Sequence, residues 1–351
     1  MIEENARTSA EPVTDESYSI TTEDGKAIIR ADGYLGTMWG IYTFSEKFLG
    51  VDPCYLFNDL AIVKKSAMEM PETHIVDKPD GFGFSGVFIN DEDLLQGWKD
   101  GGGARLVGGG YYYVTVAKSV IEKVVETVLR LKLNPVIPAT FVDLDNPPEK
   151  ALADAVAERG IYLSQHHCEP LGVSSFTFEN HCRKYGKTGR FSYSECPGIM
   201  EDVWKIYVDK WAEYDNVVWQ IGLRGFGDAR PVWQDDVPTE TVLEKSGEFI
   251  SKAYRKEKDI ILAATNGKAK HFTSTLWMEG STLVEKGYLR FPEDVTMVFA
   301  DTAPTPNFTA TNTTSFRAKK TENTVFIIIC NITDAVRTSY RRRGLKNYTI
   351  I

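Results

Sequence analysis

Apolar and polar positions change their spacing along the chain, and the first part predicts a small mixed unit. Residues 17–31 predict two short strands around a turn, and residues 35–50 carry apolar side chains near helical spacing. Two further short strands are predicted at 54–57 and 61–65. Together these elements predict a small α+β domain over residues 1–79.

From Phe82 onward, short apolar runs alternate with amphipathic segments. The runs predict strands, which are 84–89, 136–139, 161–164, 217–221, 259–263 and 295–299. The amphipathic segments predict helices, which are 116–132, 148–159, 198–214, 239–256 and 275–286. Repeated strand–helix units with long loops after the strands predict an α/β fold with a parallel sheet, a (β/α)8-type TIM barrel over residues 80–301. Because six strands are predicted, we expect this barrel to be incomplete at its C-terminal end.

The composition changes sharply at residue 302. Residues 302–351 contain eight lysines and arginines, two acids and eleven threonines, whereas the whole chain has a net charge of −9. The run 325–330 is typical of a buried strand but lacks clear helix and turn signals around it. We interpret residues 302–351 as an atypical basic, threonine-rich tail that is out of frame after the loss of one nucleotide near codon 302. The alternative is a divergent C-terminal extension.

The remaining composition narrows the class of protein. With 42% hydrophobic and 25% charged residues, the chain is typical of a globular protein rather than a disordered or fibrous one. No apolar run reaches the roughly 18–20 residues of a membrane span, and the net charge of −9 argues against nucleic acid or an anionic membrane as partner. The polar, acidic N-terminus is unlike a signal peptide, and five scattered cysteines indicate a reduced chain, so we expect a cytoplasmic location unless the N-terminus is incomplete.

Chargeable side chains follow the predicted strands, where barrel enzymes carry their catalytic groups. They are Asp91, Glu92, His166, His167, Glu169, Arg224, Asp228, Glu279 and Asp301. Two carboxyl groups on either side of a glycosidic bond can act as general acid and general base, and a separation of roughly 6.5–9.5 Å gives inversion. Arg224 is suited to a substrate carboxylate or, equally, to a structural ion pair.

Metal and phosphate sites are weakly indicated. Cys168, Cys182 and Cys196 recur every fourteen residues beside histidines, but they lack the close cysteine pairs of structural zinc sites. The glycine runs 101–103 and 108–110 lack the lysine of a phosphate-binding loop. The sequence therefore predicts no metal and no cofactor.

Several motifs, taken in order, resemble glycoside hydrolase family 115, the xylan α-1,2-glucuronidases. They are SGVFINDED (85–93), LVGGGYYY (106–113), RGIYLSQHHCEP (159–170), VVWQIGLRGFGDA (217–229) and LWMEGSTLVEKGYLRFPEDVTMVFAD (276–301). The resemblance implies release of glucuronic acid or its 4-O-methyl ether from glucuronoxylan or aldouronic oligosaccharides, with inversion and no cofactor. It also implies a homodimer in full-length relatives and an N-terminal domain whose start is missing here.

The resemblance further implies roles for single residues. Asp228 and Glu279 match the acid/base pair, with donor and base left open, while the substrate-binding residues are Glu92, His166, His167, Arg224 and Asp301. Two positions depart from the family pattern. Phe226 stands where a polar residue is expected, and Cys168 interrupts the His-His-Glu run.

An unfinished barrel would expose sheet edges and apolar faces. We therefore expect the chain as written to release little or no glucuronic acid. Two alternatives stay open: a remnant that binds acidic glycans without catalysis, and another barrel hydrolase or lyase of uronic-acid sugars with a metal at the histidines.

The frame hypothesis is tested on the DNA. We expect one inserted base near codon 302 to open a frame rich in tyrosine, histidine and glycine, because the barrel sequence would then continue. Sequencing codons 290–351 and reading all three frames checks this. If neither other frame stays open, the tail is genuine.

Overall fold

The computed structural model describes residues 2–4, 16–58, 60–77, 84–89, 95, 101–106, 113–231, 238–276, 279–301 and 324–328. Predictions that fall on other residues, including Asp91 and Glu92, lie outside this description. Among the described helices, none combines the length and apolar character needed to cross a membrane.

The first sheet has four strands in the order β1-β3-β2-β4. They are β1 (Ile2–Glu4), β2 (Tyr18–Glu23), β3 (Lys26–Ala31) and β4 (His74–Asp77). β2 and β3 form the predicted antiparallel hairpin, and the turn between them uses a left-handed backbone at Asp24 and Gly25. Helix α1 (Tyr34–Phe44) continues as one π-helical segment, Ser45–Leu49, which ends at Gly50 with a φ of 75°.

Two predictions in this region are wrong. Residues 54–57 form a turn, and no strand forms at 61–65, where Ile62 and Val63 are 49% and 75% exposed. β4 pairs with β2 instead. A short apolar run becomes a strand only where a neighbouring edge offers hydrogen bonds, and sequence spacing does not reveal that edge. The assignment of residues 1–79 to a separate small domain stays a prediction.

The second sheet has seven parallel strands in the order β5-β8-β9-β10-β11-β12-β13. Its strands are β5 (Val87–Phe88), β8 (Pro135–Ile137), β9 (Tyr162–Ser164), β10 (Val217–Gln220), β11 (Phe272–Leu276), β12 (Val295–Asp301) and β13 (Thr324–Ile328). Between β5 and β8 in the sequence, β6 (Gly103–Ala104) and β7 (Val114–Thr115) form a separate antiparallel pair. Sequence neighbours are spatial neighbours throughout this sheet, as in a partial (β/α) barrel. Among the described strands, β5 and β13 are the two edges and do not pair with each other.

Six α-helices of the described residues accompany this sheet, and five of them were predicted near their positions. They are α2 (Lys118–Arg130), α3 (Pro147–Ala157), α4 (Ser175–Lys184), α5 (Pro197–Trp211), α6 (Glu240–Ala264) and α7 (Glu279–Glu285). Helix α4 was not predicted, although Ser174 is a good N-cap whose Oγ accepts a hydrogen bond from the Thr177 amide at 3.0 Å.

The predicted strand 259–263 is wrong, because these residues form the last turns of α6. Ile260 and Ile261 continue the buried stripe of Ile250 and Tyr254, so the apolar run follows the helical period. The fifth strand is β11, which overlaps the start of the helix predicted at 275–286. The apolar pattern did not predict β11, because its sequence is rich in serine and threonine.

Strand β13 coincides with most of the apolar run 325–330. The out-of-frame interpretation of residues 302–351 stays a prediction.

A buried carboxyl group lies where the N-terminal segment meets the amino end of the parallel sheet. Glu16 is 7% exposed, and burial raises its pKa to about 7, against a smaller opposite effect of its hydrogen bond with Asn134. Asn134 also makes two hydrogen bonds with the backbone of Ser85. Its side-chain Oδ1 accepts from the Ser85 amide, and its backbone amide donates to the Ser85 carbonyl oxygen. The folded protein therefore keeps a proton on Glu16 that an unfolded chain releases near pH 4.5.

We expect Glu16→Gln to change how stability depends on pH. The raised pKa in the folded state stabilises the protein fully below about pH 4.5, and this contribution is lost as the pH rises through about 7. Above pH 7 the variant should be more stable than the wild type by up to about 3 kcal/mol, with near equality at pH 4. Urea unfolding between pH 4 and 8 measures this. The exposed control Glu72→Gln should leave the curve in place, and a Glu16→Gln curve parallel to the wild type would contradict the assignment.

Candidate active site

Four chargeable side chains from three neighbouring strand ends meet at the carboxyl edge of the parallel sheet. His167 follows β9, Arg224 and Asp228 follow β10, and Glu279 opens α7 directly after β11. Because these strands are adjacent and parallel, their carboxyl ends converge at one edge. The structure thus brings together four of the residues that the sequence singled out.

Arg224 is the centre of this cluster. Its Nε donates to Asp228 Oδ1 at 2.7 Å, its Nη2 donates to the Asp228 carbonyl oxygen at 2.5 Å, and its Nη1 donates to Glu279 Oε1. The side chains of Arg224 and Glu279 are 6% and 4% exposed, and that of Asp228 is 28% exposed. One guanidinium therefore lies between two carboxyl groups.

The surroundings push the two carboxyl groups in opposite directions. Burial raises the pKa of Glu279 despite the opposing charge of Arg224, and its buried Oε2 has no hydrogen-bond partner among the residues that the structure describes. Burial also raises the pKa of Asp228, but His167 and Arg224 together outweigh it and hold that pKa below its usual value. Two carboxyl groups with separated pKa values are the arrangement that acid and base roles require.

The paired histidines pack beside Asp228. His167 Nε2 lies 3.3 Å from Asp228 Oδ2, and the rings of His166 and His167 lie 4.2 Å apart. Phe88 covers His166 with a ring distance of 4.6 Å. Burial lowers the pKa of His166 well below its usual range, with the neighbouring His167 adding to the effect, so His166 is neutral. Its contribution is therefore shape and hydrogen bonding rather than charge.

Cys168 completes a group with metal-binding atoms. Its Sγ lies 2.6 Å from His166 Nδ1, and the ligand atoms of His166, His167 and Cys168 all lie within 4.8 Å of one another. In the structure the first contact is a thiol–imidazole hydrogen bond, and burial raises the pKa of the Cys168 thiol well above its usual range. That the protein uses no metal or cofactor stays a prediction.

The turn after Arg224 fixes Asp228 in place. The Gly225 amide donates to the Ala229 carbonyl at 2.8 Å, and the Ala229 amide donates to the Phe226 carbonyl at 3.1 Å. A Cβ on Gly225 would lie 2.6 Å from the Arg230 carbonyl oxygen, so the turn requires glycine there. Asp228 itself has a φ of 69°, a left-handed conformation that is uncommon for an aspartate. Hydrogen bonds from Arg224 to both its carboxylate and its carbonyl oxygen stabilise this conformation.

Several residues next to the cluster were not among the predicted site residues. Gly222, on the loop that leads to Arg224, donates its amide to Glu257 Oε2 at 2.8 Å. Glu257 is fully buried on α6, and burial raises its pKa well above its usual value. The available signal was an acid on the apolar face of a helix, three residues after Tyr254. A pocket opens beside Arg224 and Glu279. Its lining residues are His167, Gln220, Gly222, Leu223, Arg224, Ile250, Tyr254, Thr275, Glu279, Gly280 and Leu289.

The other sequence candidates lie elsewhere. Glu169 is 1% exposed and accepts hydrogen bonds from the amides of Phe141 at 2.5 Å and Val142 at 2.8 Å, which gives it a structural role in the loop after β8. Asp301 ends β12, which places its backbone at the same edge of the sheet. Glu92 lies outside the described residues.

We expect Arg224→Met to destabilise the fold by about 3 kcal/mol, because it leaves two carboxyl groups facing each other with little solvent. A second change, Glu279→Leu, should recover part of that loss. Urea unfolding of the two single variants and the double variant measures the coupling. The control Arg190→Met breaks an exposed pair with Glu195 and should cost less than about 1 kcal/mol. Equal losses in Arg224→Met and the double variant would contradict the central role of Arg224.

Comparison with solved structures shows what this fold is similar to. BtGH115A, described as a family GH115 4-O-methyl-α-glucuronidase with specificity for decorated arabinogalactans, has a TM-score of 0.69 and 19% identity over 95% of this chain and 48% of that chain. CpGH89 from Clostridium perfringens has a TM-score of 0.47 and 10% identity over 88% and 38% of the two chains. A GH20 exo-β-N-acetylglucosaminidase from Vibrio harveyi has a TM-score of 0.43 and 11% identity over 85% and 51%.

The first of these comparisons shows the fold, and the other two are too distant to inform the site. The chain spans about half of the length of BtGH115A. No curated protein matches the sequence. The family model of glycosyl hydrolase family 115 matches residues 78–325. This match covers more than half of the chain and includes every residue of the cluster around Arg224, so the chain belongs to glycosyl hydrolase family 115.

Proposed function

We propose that the protein is a glycosidase that releases glucuronic acid or its 4-O-methyl ether from α-1,2-linked positions of glucuronoxylan or aldouronic oligosaccharides. The observation that carries this proposal is the pair Asp228 and Glu279 on one guanidinium, with pKa values moved in opposite directions. Membership of family 115 supports the reaction class, and the similarity to BtGH115A, described as a 4-O-methyl-α-glucuronidase, supports the sugar.

In this proposal Glu279 is the general acid and Asp228 the general base. Glu279 has the raised pKa, so it carries the proton that passes to the glycosidic oxygen as the bond to the anomeric carbon breaks. Asp228 is ionised and more exposed, so it takes a proton from a water molecule that attacks the opposite face of the sugar. The product has inverted configuration, and each carboxyl group ends in the other's initial protonation state.

Arg224 and His167 assist both carboxyl groups. As Glu279 loses its proton, the Arg224 guanidinium stabilises the carboxylate that forms. His167 contacts the Asp228 oxygen that Arg224 Nε does not use, and so fixes the orientation of the base. Three of the five N–H groups of Arg224 donate to Asp228 and Glu279. We propose that the other two bind the carboxylate of an anionic sugar, in keeping with the predicted substrate role of this residue.

The other predicted contacts extend the same site. His166, Glu92 and Asp301 stay proposed substrate-binding residues, in keeping with the carboxyl-edge positions that the family motifs imply. Cytoplasmic handling of imported oligosaccharides and a homodimer of the full-length protein also stay proposals. BtGH115A is described as specific for decorated arabinogalactans, so an arabinogalactan is the alternative main chain for the uronic acid.

The expected wild-type kcat of this chain is low, and we expect Asp228→Asn and Glu279→Gln each to lower it further by about a thousandfold or more, because each removes one proton-transfer group of a concerted reaction. Proton NMR of the chain incubated with an aldouronic oligosaccharide measures release and shows whether the β-anomer of glucuronic acid appears first, as inversion requires. Asp209→Asn, an exposed change on α5, is the matched control and should leave the rate unchanged.

Other outcomes separate the alternatives. Tight binding of the oligosaccharide by the wild type without release favours an acidic-glycan-binding remnant and would agree with an unfinished barrel. Release that needs an added divalent ion favours another barrel hydrolase with a metal at the histidines. Release that survives both carboxylate substitutions would overturn the assignment of the pair.

A further inference from the structure

Three phenylalanine rings line up beside the catalytic cluster and have no part in the mechanism above. Phe226 and Phe176 lie 5.7 Å apart at 64°, and Phe176 and Phe141 lie 5.0 Å apart at 79°. Phe141 in turn lies 6.4 Å from the ring of His166. The row therefore runs from the turn that carries Asp228 to the paired histidines.

The outer end of this row faces solvent. Phe226 is 50% exposed, whereas Phe176 and Phe141 are partly buried behind it. An isolated exposed phenyl ring is ordinary on a protein surface. Phe226 differs because it stands two residues before Asp228 in the same turn, at a position where the family motif led us to expect a polar residue.

The backbone holds Phe226 in this outward position. Its carbonyl accepts the Ala229 amide at 3.1 Å, and the next residue, Gly227, donates its amide to Ser175 Oγ at 3.1 Å. Ser175 is buried at the start of α4, directly before Phe176. The turn and the helix are therefore fastened to each other, and the two rings keep their relative position without a ligand. A preorganised ring loses little entropy when it binds.

We propose that Phe226, supported by Phe176, forms a subsite for a neutral pyranose ring of the glycan chain that carries the uronic acid. This proposal rests on the proposed function and names the surface that holds the rest of the substrate. In this proposal the uronosyl unit lies at the cluster around Arg224, and the main chain extends over the exposed ring of Phe226. The ring face of a neutral pyranose carries C–H groups that stack on a phenyl ring, and an anionic sugar is less suited to that apolar surface.

If Phe226 forms this subsite, its substitution should change KM for long oligosaccharides and leave KM for short ones nearly unchanged. We expect Phe226→Ala to raise KM about five- to tenfold for aldopentaouronic acid, with kcat unchanged, in line with the loss of one aromatic stacking contact. Aldobiouronic acid, which has a single xylose, should change less than twofold. Phe226→Trp should keep the wild-type KM, and Phe226→Leu, which keeps apolar bulk without the ring, should behave like Phe226→Ala.

Tyr185→Ala is the matched control. Tyr185 is also on the α4 side of the molecule and is 56% exposed, but it follows the other end of that helix. It should leave KM unchanged for both substrates. Melting temperatures of all variants within a few degrees of the wild type establish that the exposed substitutions leave the fold intact.

A binding measurement separates this proposal from the proposed function. Isothermal titration or saturation-transfer NMR with neutral xylotetraose and with β-1,3-galactotetraose tests the subsite without hydrolysis. Binding by the wild type that Phe226→Ala and Phe226→Leu abolish supports the subsite even if no uronic acid is released, and the preferred tetraose identifies the main chain. Equal losses on the short and long substrates, or no effect of Phe226 on either rate or binding, would overturn it.

Discussion

The site depends on one guanidinium that holds two carboxyl groups. Arg224 reaches Asp228 from the adjacent turn and Glu279 from the next strand–helix unit, so two separate parts of the chain are fixed by one side chain. Burial raises the pKa of Glu279, whereas Arg224 and His167 hold the pKa of Asp228 below its usual value. In the proposed mechanism, the residue that assembles the site therefore also helps to separate the acid and base roles.

Buried carboxyl groups elsewhere fix the loops that surround this cluster. Glu169 accepts two consecutive backbone amides after β8, Glu149 accepts the amide of Asp143 at 2.6 Å, and Glu257 accepts the amide of Gly222. Each replaces hydrogen bonds that an irregular loop cannot make with itself. The loops at the carboxyl edge are thus held before any ligand arrives, which is what electrostatic stabilisation of a transition state requires.

The sequence predicted the regular parts of this fold well where the periodic pattern was long. Helices α2, α3 and α5 were found within a few residues, because each buries a continuous apolar stripe. The errors came from short segments. The run 259–263, predicted as a strand, is the end of the 25-residue helix α6. Strand β11 was not predicted, because one of its buried positions is the polar residue Ser274.

The sequence by itself determined the parallel α/β class, the family motifs and the identity of the chargeable residues that follow β9, β10 and β11. These are local properties, since apolar spacing and strand-end polarity can be read within one segment. Tertiary structure alone decided that Arg224 bridges Asp228 and Glu279, that Glu169 serves the backbone, and that Phe226 lies on an aromatic row. Those facts depend on contacts between residues tens of positions apart, and the pKa of each carboxyl group follows from the burial and charge that those contacts create.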